Sequence, residues 1–260
     1  MKDSVLILTP LKDVADLADS YCQLLAKLTY PHEKLSLGLL ESDSQDDSYE
    51  AFAAASKRLR GSFLKKGFQC VEIWQQDFDY HIPADTPRWA HHIQLERRSI
   101  LARSRNHLLS HALRDQDWVL WLDADVTEFP PDIIEQLLSY QKDILQPHCV
   151  KTYGGATFDQ NASRELGTVY MDALRGQPSP VELHLVGGTM LLVRADLHRD
   201  GLHFPPYLFG ATHPYARTHH DYITKAEPGE IETEGLAIMA HQMGHRCWGL
   251  PDLEIIHRDQ

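Results

Sequence analysis

The chain has 260 residues, 43% hydrophobic and 24% charged, enough apolar material to bury a sizeable core. Thirty-seven acids against 25 bases give a formal net charge of −12, which argues against a general nucleic-acid binder, whose footprint is basic. The cysteines Cys22, Cys70, Cys149 and Cys247 show no CxxC spacing, so they read as reduced thiols rather than a zinc ribbon or disulfide scaffold.

The stretch MKDSVLILTP has no basic n-region and only a short apolar run. Neither a signal peptide nor a membrane anchor is expected, and the expected location is cytoplasmic. Val5–Leu8 reads as a short strand ending in Thr9-Pro10, and helical periodicity runs over Val14–Leu28. Leu35–Leu40 reads as a second strand, which enters the acidic stretch ESDSQDDS, Glu41–Ser48. A helix is expected over Tyr49–Leu64, a third strand over Gln69–Trp74, a long helix over about Ile93–Leu113 and a strand over Trp118–Leu122. Strands alternating with helices predict parallel βαβ units, whose ligands sit beyond the carboxyl ends of the strands. The second half is less regular. Gly154–Gly176 is loop-like, Leu183–Val193 reads as a strand around Gly187-Gly188, and His203–Glu230 as a long loop. Thr233 is expected to cap a helix running to about Gly244, followed by strands at Cys247–Leu250 and Leu253–His257. A single α/β domain over residues 1–260 is expected, with a nucleotide-binding half, 1–125, and an acceptor half, 126–260.

The run DWVLWLDADVTEFPP drives an apolar strand into Asp123 and Asp125. Asp-Ala-Asp puts both carboxylates on one side of an extended segment, and hard divalent cations favour such oxygen ligands. A lone DxD is weak, but this one follows a buried strand in a βα unit. On the long helix, Ile93, Ile100, Leu101, Leu108 and Ala112 make an apolar arc that contains Arg97. Arg98 and Arg105 fall at its edge, Arg103 points away and Asn106 lies opposite Arg97. A buried guanidinium without an anion is costly; it reads either as an internal ion pair or as a diphosphate clamp. Glu232 and Glu234 sit at a helix start, where the dipole favours acids. His257 ends an apolar strand and, as a neutral imidazole, could join a metal held by Asp125.

Six stretches in order, VLILTPLKD, LGLLESDSQDDS, ERRSILARSRNHLL, WVLWLDADVTEFPPDIIEQLL, VGGTMLLVRADLHRDGLHFPPYLFG and IETEGLAIMAHQMGH with WGLPDLEIIH, carry a resemblance over nearly the whole chain. The chain resembles the fungal-type α-mannosyltransferases of the mannan-polymerase group, glycosyltransferase family 62. The resemblance implies a GT-A fold, a Rossmann-like and mostly parallel sheet flanked by helices. It implies a retaining enzyme that moves mannose from a GDP-mannose donor to a glycan or other hydroxyl acceptor, with Mn2+ or Mg2+. By resemblance, Asp123, Asp125 and His257 hold the metal. Leu8, Thr9, Pro10 and Asp43 line the nucleoside pocket, and Arg97 and Arg105 face the nucleotide. Gly187-Gly188 with Glu232 and Glu234 face the sugars. No nucleic-acid partner is expected, and a homo- or hetero-oligomer is compatible with the resemblance. Fungal members carry a membrane anchor and stem, which are not expected here, some have an acid where this chain has His184, and His203–Glu230 differs in length and histidine content. Two alternatives stay open: an inverting transferase for another nucleotide sugar with Glu234 as base, and a catalytically idle nucleotide-sugar-binding subunit.

Overall fold

The computed structural model describes residues 3–61, 66–83, 85–88, 90–219 and 227–258. In chain order the strands are β1 (Val5–Leu11), β2 (Leu35–Glu41), β3 (Cys70–Gln75), β4 (Trp118–Leu122), β5 (Val126–Glu128), β6 (Ile144–Val150), β7 (Ser163–Arg164), β8 (Val169–Tyr170), β9 (Val181–Leu183), β10 (Met190–Arg194), β11 (Thr218–His219), β12 (Glu227–Pro228) and β13 (Cys247–His257). The α-helices are α1 (Ala18–Ala26), α2 (Ser48–Ala55), α3 (His91–Ala112), α4 (Ile133–Ser139), α5 (Ala195–Arg199) and α6 (Glu232–Gln242).

The main sheet runs β3-β2-β1-β4-β10-β6-β13-β5, and β9 pairs with β13. β1 is parallel to β2, from Val5 opposite Leu35 to Leu11 opposite Glu41, and parallel to β4. β10 runs antiparallel between β4 and β6, while β6 and β13 are again parallel. β4 is apolar throughout because both its faces are covered. Alternation sends Val5, Ile7, Leu37, Leu39 and Leu120 toward Tyr21, Leu25 and Phe52 of α1 and α2. It sends Leu6, Leu8, Val119 and Trp121 to the other face, with Ala102, Leu108 and Ala112 of α3.

Several expectations are corrected. The helix read over Val14–Leu28 is a 3-10 turn, Ala15–Leu17, followed by α1, and the helix read over Tyr49–Leu64 gives way after Ala55 to a 3-10 turn, Ser56–Leu59. Residues 62–65, at the end of that reading, lie outside the described residues. Leu183–Val193 is not one strand. β9 pairs with β13, β10 pairs with β4 and β6, and the Gly187 amide between them donates to Gln146 Oε1 at 2.9 Å. The two terminal strands are one, β13, with a register shift between Leu250 and Glu254, where Pro251 lacks a ladder donor. β6 was missed because Gln146, Pro147 and His148 disguise a buried strand. His148 is satisfied internally by Pro251 O at 3.0 Å and Thr157 Oγ1 at 2.9 Å. Thr233 does not cap α6; Ile231 occupies that position, and the Thr233 hydroxyl donates to Glu232 Oε2 at 3.1 Å. The long loop keeps its irregular course apart from the β11–β12 pair, and residues 220–226 of it lie outside the described residues. Among the described residues, no helix is long and apolar enough to cross a membrane.

The seat of α3 on the sheet depends on Gly38. A Cβ there would come within 2.8 Å of Leu8 Cδ2 and 3.0 Å of Ala112 Cβ. Gly38→Val is expected to lower unfolding free energy by about 1–3 kcal/mol through overpacking, read as a lower denaturant midpoint.

Candidate active site

A two-lobed cleft opens beyond the carboxyl ends of β1, β2 and β4. Pro10, Lys12, Tyr80, Ile100 and Ser104 line the first lobe. Arg98, Arg105, Asp159, Asn161, Gly188 and Glu232 line the second. Arg88, Arg97, Leu101, Asp123 and Asp125 belong to both, so the two aspartates form the ridge between the lobes.

The ridge is held from several elements. The Asp123 amide donates to Thr189 O at 3.0 Å, which ties the end of β4 to the start of β10. Asp123 Oδ1 accepts from Arg105 Nη2 at 3.0 Å. Burial pushes the Asp123 carboxyl up to about 6, against the pull of Arg105 and helped by the neighbouring Asp125. Asp125 Oδ1 lies 3.1 Å from His257 Nε2, and the imidazole stacks on Phe158 with ring centroids 3.9 Å apart. His257 Nδ1 donates to Arg258 O at 2.7 Å. With its proton on Nδ1, a neutral imidazole would turn a lone pair toward the carboxylate. The contact therefore needs a proton or a cation between the two atoms. Burial disfavours the imidazolium, but Asp125 outweighs it and raises the His257 pKa. An oxygen and a nitrogen so placed fit a divalent metal. Among the described residues, no three His, Cys, Asp or Glu side chains converge as a metal set. Asp125 and His257 are thus the pair that could hold one, and Asp123 has one oxygen committed to Arg105.

The arginines of α3 correct the helical wheel. Arg98 and Arg105, placed at the edge, are the buried ones, and Arg97 is half-buried on the cleft wall. Arg98 Nη2 donates to Ile231 O at 2.7 Å and pairs with Glu234. Arg105 Nε donates to Glu232 Oε1 at 3.0 Å. Arg97 donates to Gln94 Oε1 at 3.3 Å and has no acidic ion-pair partner among the described residues. Burial, with Arg88 nearby, pushes its pKa down to about 10. Arg103 is exposed, 4.9 Å from the Phe78 ring, and Asn106 is structural, bonded both ways to the Phe204 backbone at 2.7 and 2.9 Å.

The two glutamates of α6 part company. Glu232 has φ 59° and lines the second lobe. That left-handed backbone is uncommon for a side chain of this size and persists only when its surroundings hold it; here the holders are Arg105 and Thr233. Glu234 is 1% exposed and locked between Arg98 and Arg217, away from both lobes. The expected catalytic placement of Glu234 is therefore corrected: the helix turns it inward, and both oxygens are occupied.

On the nucleoside side, Pro10 lines the first lobe, but Leu8 is packed in the core and Thr9 bonds to Tyr21 Oη inside it. Asp43 has φ 54°, and its carboxylate accepts the amides of Phe78 at 3.1 Å and Tyr80 at 3.3 Å. It builds the wall rather than facing the lobe. Lys12, unread in the sequence, bridges Asp43 O and Tyr80 O, the latter at 3.2 Å. The buried Tyr80 Oη and Ser104 Oγ have no hydrogen-bond partner among the described residues, which suits a polar ligand.

The Anp1 family model matches residues 1–166. The chain belongs to the Anp1 family. It is 31% identical over its whole length to the mannan polymerase complex subunit mnn9 of Schizosaccharomyces pombe, covering 81% of that protein. It is 28% identical, again over its whole length, to the mannan polymerase complex subunit MNN9 of Candida albicans, covering 76%. Among solved structures it is similar to the mannosyltransferase PcManGT from Pyrobaculum calidifontis, in complex with GDP-Man and Mn2+, at TM-score 0.59 and 15% identity. It is also similar to TarS 1-349 of S. aureus in complex with UDP, at TM-score 0.56 and 13% identity. These alignments cover 99% and 97% of this chain but 57% and 59% of the solved chains. They establish the GT-A glycosyltransferase fold.

In this Anp1-family chain, residue 159 is the acid that sequence reading missed. It lies in a stretch without periodicity, read as loop, and only the fold brings it under Thr189, whose Oγ1 donates to Asp159 Oδ2 at 2.8 Å. The glutamate before α6 was missed likewise. Glu230 is fully buried and accepts Arg217 Nε and Nη2, each at 2.7 Å. Burial alone would raise its pKa, but bonds from Arg217 and His219 outweigh it and hold it at about 2. A depressed carboxyl contributes stability above its unfolded value, roughly 4.3, which is lost as pH falls toward 2. Glu230→Gln is expected to cost about 1–3 kcal/mol at pH 7 and to flatten the decline between pH 4.5 and 2, measured by urea unfolding at a series of pH values.

Proposed function

We propose that this chain is a metal-dependent, retaining α-mannosyltransferase with GDP-mannose as donor and a sugar hydroxyl as acceptor. One observation carries the reading. An oxygen and a nitrogen donor face each other on the ridge of a cleft, beside a half-buried arginine with no acidic ion-pair partner among the described residues. That is the layout a nucleoside diphosphate and its metal require. The family supports mannose chemistry, because its relatives are named as mannan polymerase subunits. The GDP-Man and Mn2+ bound to the archaeal neighbour support the donor and the ion. The subunit names also support assembly into a complex with other chains.

In this reading the nucleoside lies in the first lobe, against Pro10 and Tyr80, and the hexose in the second. Asp125 and His257, with Asp123 alongside, would hold the metal. The ion, when bound, neutralises charge on the departing diphosphate. Arg97 adds a fixed positive charge beside the diphosphate without having to break an ion pair first. Glu232, held by Arg105, presents a carboxylate to the reacting face of the sugar. The inverting reading is less well supported, since Glu234 lines neither lobe and its two oxygens are held by Arg98 and Arg217. In a front-face course of the retaining reaction, the acceptor proton would pass to the leaving phosphate.

Asp125→Asn and His257→Ala are each expected to leave the thermal unfolding midpoint within about 3 °C of wild type. Each should lower affinity for GDP in the presence of Mn2+ by tenfold or more, read by calorimetry. Normal manganese-dependent binding and normal release of GDP from GDP-mannose in both variants would sink the metal assignment.

Arg97→Ala is expected to weaken GDP binding by about 1.5–3 kcal/mol, the range for a charge-assisted contact. Arg103→Ala should change it by less than about 0.5 kcal/mol, as for exposed sites. Equal losses would mean that Arg97 does not meet the diphosphate.

A further inference from the structure

Away from the cleft, α3 carries a second pair of side chains suited to a metal. His107 and His111 are four residues apart on the helix and so share one face. They line neither lobe. Their rings are stacked, with centroids 4.2 Å apart and planes 26° from parallel. His107 is half-buried with Phe78 edge-on to it, and His111 is exposed, its ring centroid 6.2 Å from that of Trp74.

Hydrogen bonding decides which nitrogens are free. His111 Nδ1 donates to the His107 carbonyl at 2.9 Å. Ser110 Oγ lies 3.2 Å from the same nitrogen, but its proton goes to that carbonyl too, at 2.8 Å, so it can only accept from the ring. A neutral imidazole that places its one N–H there leaves the lone pair of Nε2 free. Metal-ligating histidines are oriented by such a carbonyl on the other ring nitrogen. The ring of His107 has no hydrogen bond among the described residues; only its carbonyl is engaged.

Other clustered histidines fail on tautomer. His184 Nδ1 and His213 Nδ1 accept the amides of Glu165 and Tyr215, at 3.1 and 3.2 Å. A neutral ring whose Nδ1 accepts carries its proton on Nε2 and has no lone pair left to give. His213 and His241 therefore do not make a chelate, although their rings are 5.8 Å apart.

Charge around the α3 pair also suits a cation. Burial and the neighbouring His111 lower the His107 pKa, which keeps the ring neutral at pH 7. The flanking arginines are engaged elsewhere: Arg103 lies over the Phe78 ring, and Arg114 is paired with Glu72 at 2.8 Å. His111 is in the last turn of α3, where the helix dipole favours positive charge. Two nitrogens without a carboxylate suit borderline ions such as Ni2+, Cu2+ and Zn2+ rather than oxygen-seeking Mn2+ or Mg2+. No third His, Cys, Asp or Glu converges there among the described residues, so water completes the shell.

We infer that His107 and His111 form a second metal site, a two-histidine chelate on α3 that takes Ni2+, Cu2+ or Zn2+ and is separate from the ridge. It does not depend on the donor reading.

The test is calorimetry with Ni2+ on the full chain carrying His257→Ala, which removes the ridge nitrogen as a competing ligand. A saturable Ni2+ phase is expected. Adding His107→Ala or His111→Ala should weaken that phase by roughly tenfold or more, because a chelate loses one of its two protein ligands. His111→Gln should act as His111→Ala does. His203→Ala, at an exposed histidine outside α3, should leave the phase unchanged within about threefold. Metal-free unfolding midpoints of the α3 variants within about 3 °C of the parent separate a lost ligand from a lost fold. A Ni2+ phase that survives both α3 substitutions, or that falls as far in His203→Ala, would overturn the site. So would Mn2+ binding as tight as Ni2+ binding and equally sensitive to His111→Ala.

Discussion

The interaction on which the site depends is the buried ion-pair network between α3 and the start of α6. Arg98 and Arg105 leave a helix whose other buried residues are apolar apart from Ser104, and they meet Glu234 and Glu232 in the interior. Taking such charges out of water costs several kcal/mol per ion, so the network is poor at making stability. Its value is positional. Arg105 fixes Asp123 and Glu232 at once, and Arg98 binds both Glu234 and the Ile231 carbonyl. Removing one member would leave a buried charge unpaired, which is the costly case.

The network also explains the division of labour among the arginines of one helix. Those that point into the protein are consumed by acids. Arg97 lies one residue from Arg98, and that 100° turn carries it out of the paired interior onto the wall shared by both lobes. Among the described residues Arg97 has no acidic ion-pair partner, and it stands beside the Asp125–His257 contact on the wall that both lobes share. The sheet supplies the remaining constraint. β4 ends at the ridge while β10, antiparallel beside it, begins there, so the Asp123 turn and the glycine pair converge from opposite chain directions.

The histidines show how residue type alone misleads. Of 16 in the chain, His198 is buried between Trp121 Nε1 and Leu202 O, and His148 is satisfied within the sheet. Burial lowers the pKa of both. His257 differs because its partner is a carboxylate at the carboxyl ends of the strands.

The alternating α/β half, the buried β4 strand, the position of Asp123 and Asp125 at its end and the long helix α3 are legible in the amino-acid order alone. Hydrophobic periodicity records local burial directly, and each of these lies within one contiguous stretch. Tertiary structure decided which arginine of α3 meets an acid, because an ideal wheel cannot see the acids of α6 lying across from it. It decided that Glu234 is locked and Glu232 presented, since that turns on one left-handed φ at the helix start. It also decided that Leu8 and Asp43 belong to the scaffold and Asp159 to the cleft. Asp159 and Thr189 are 30 residues apart, and no local pattern encodes a contact that exists only after β10 has been threaded between β4 and β6.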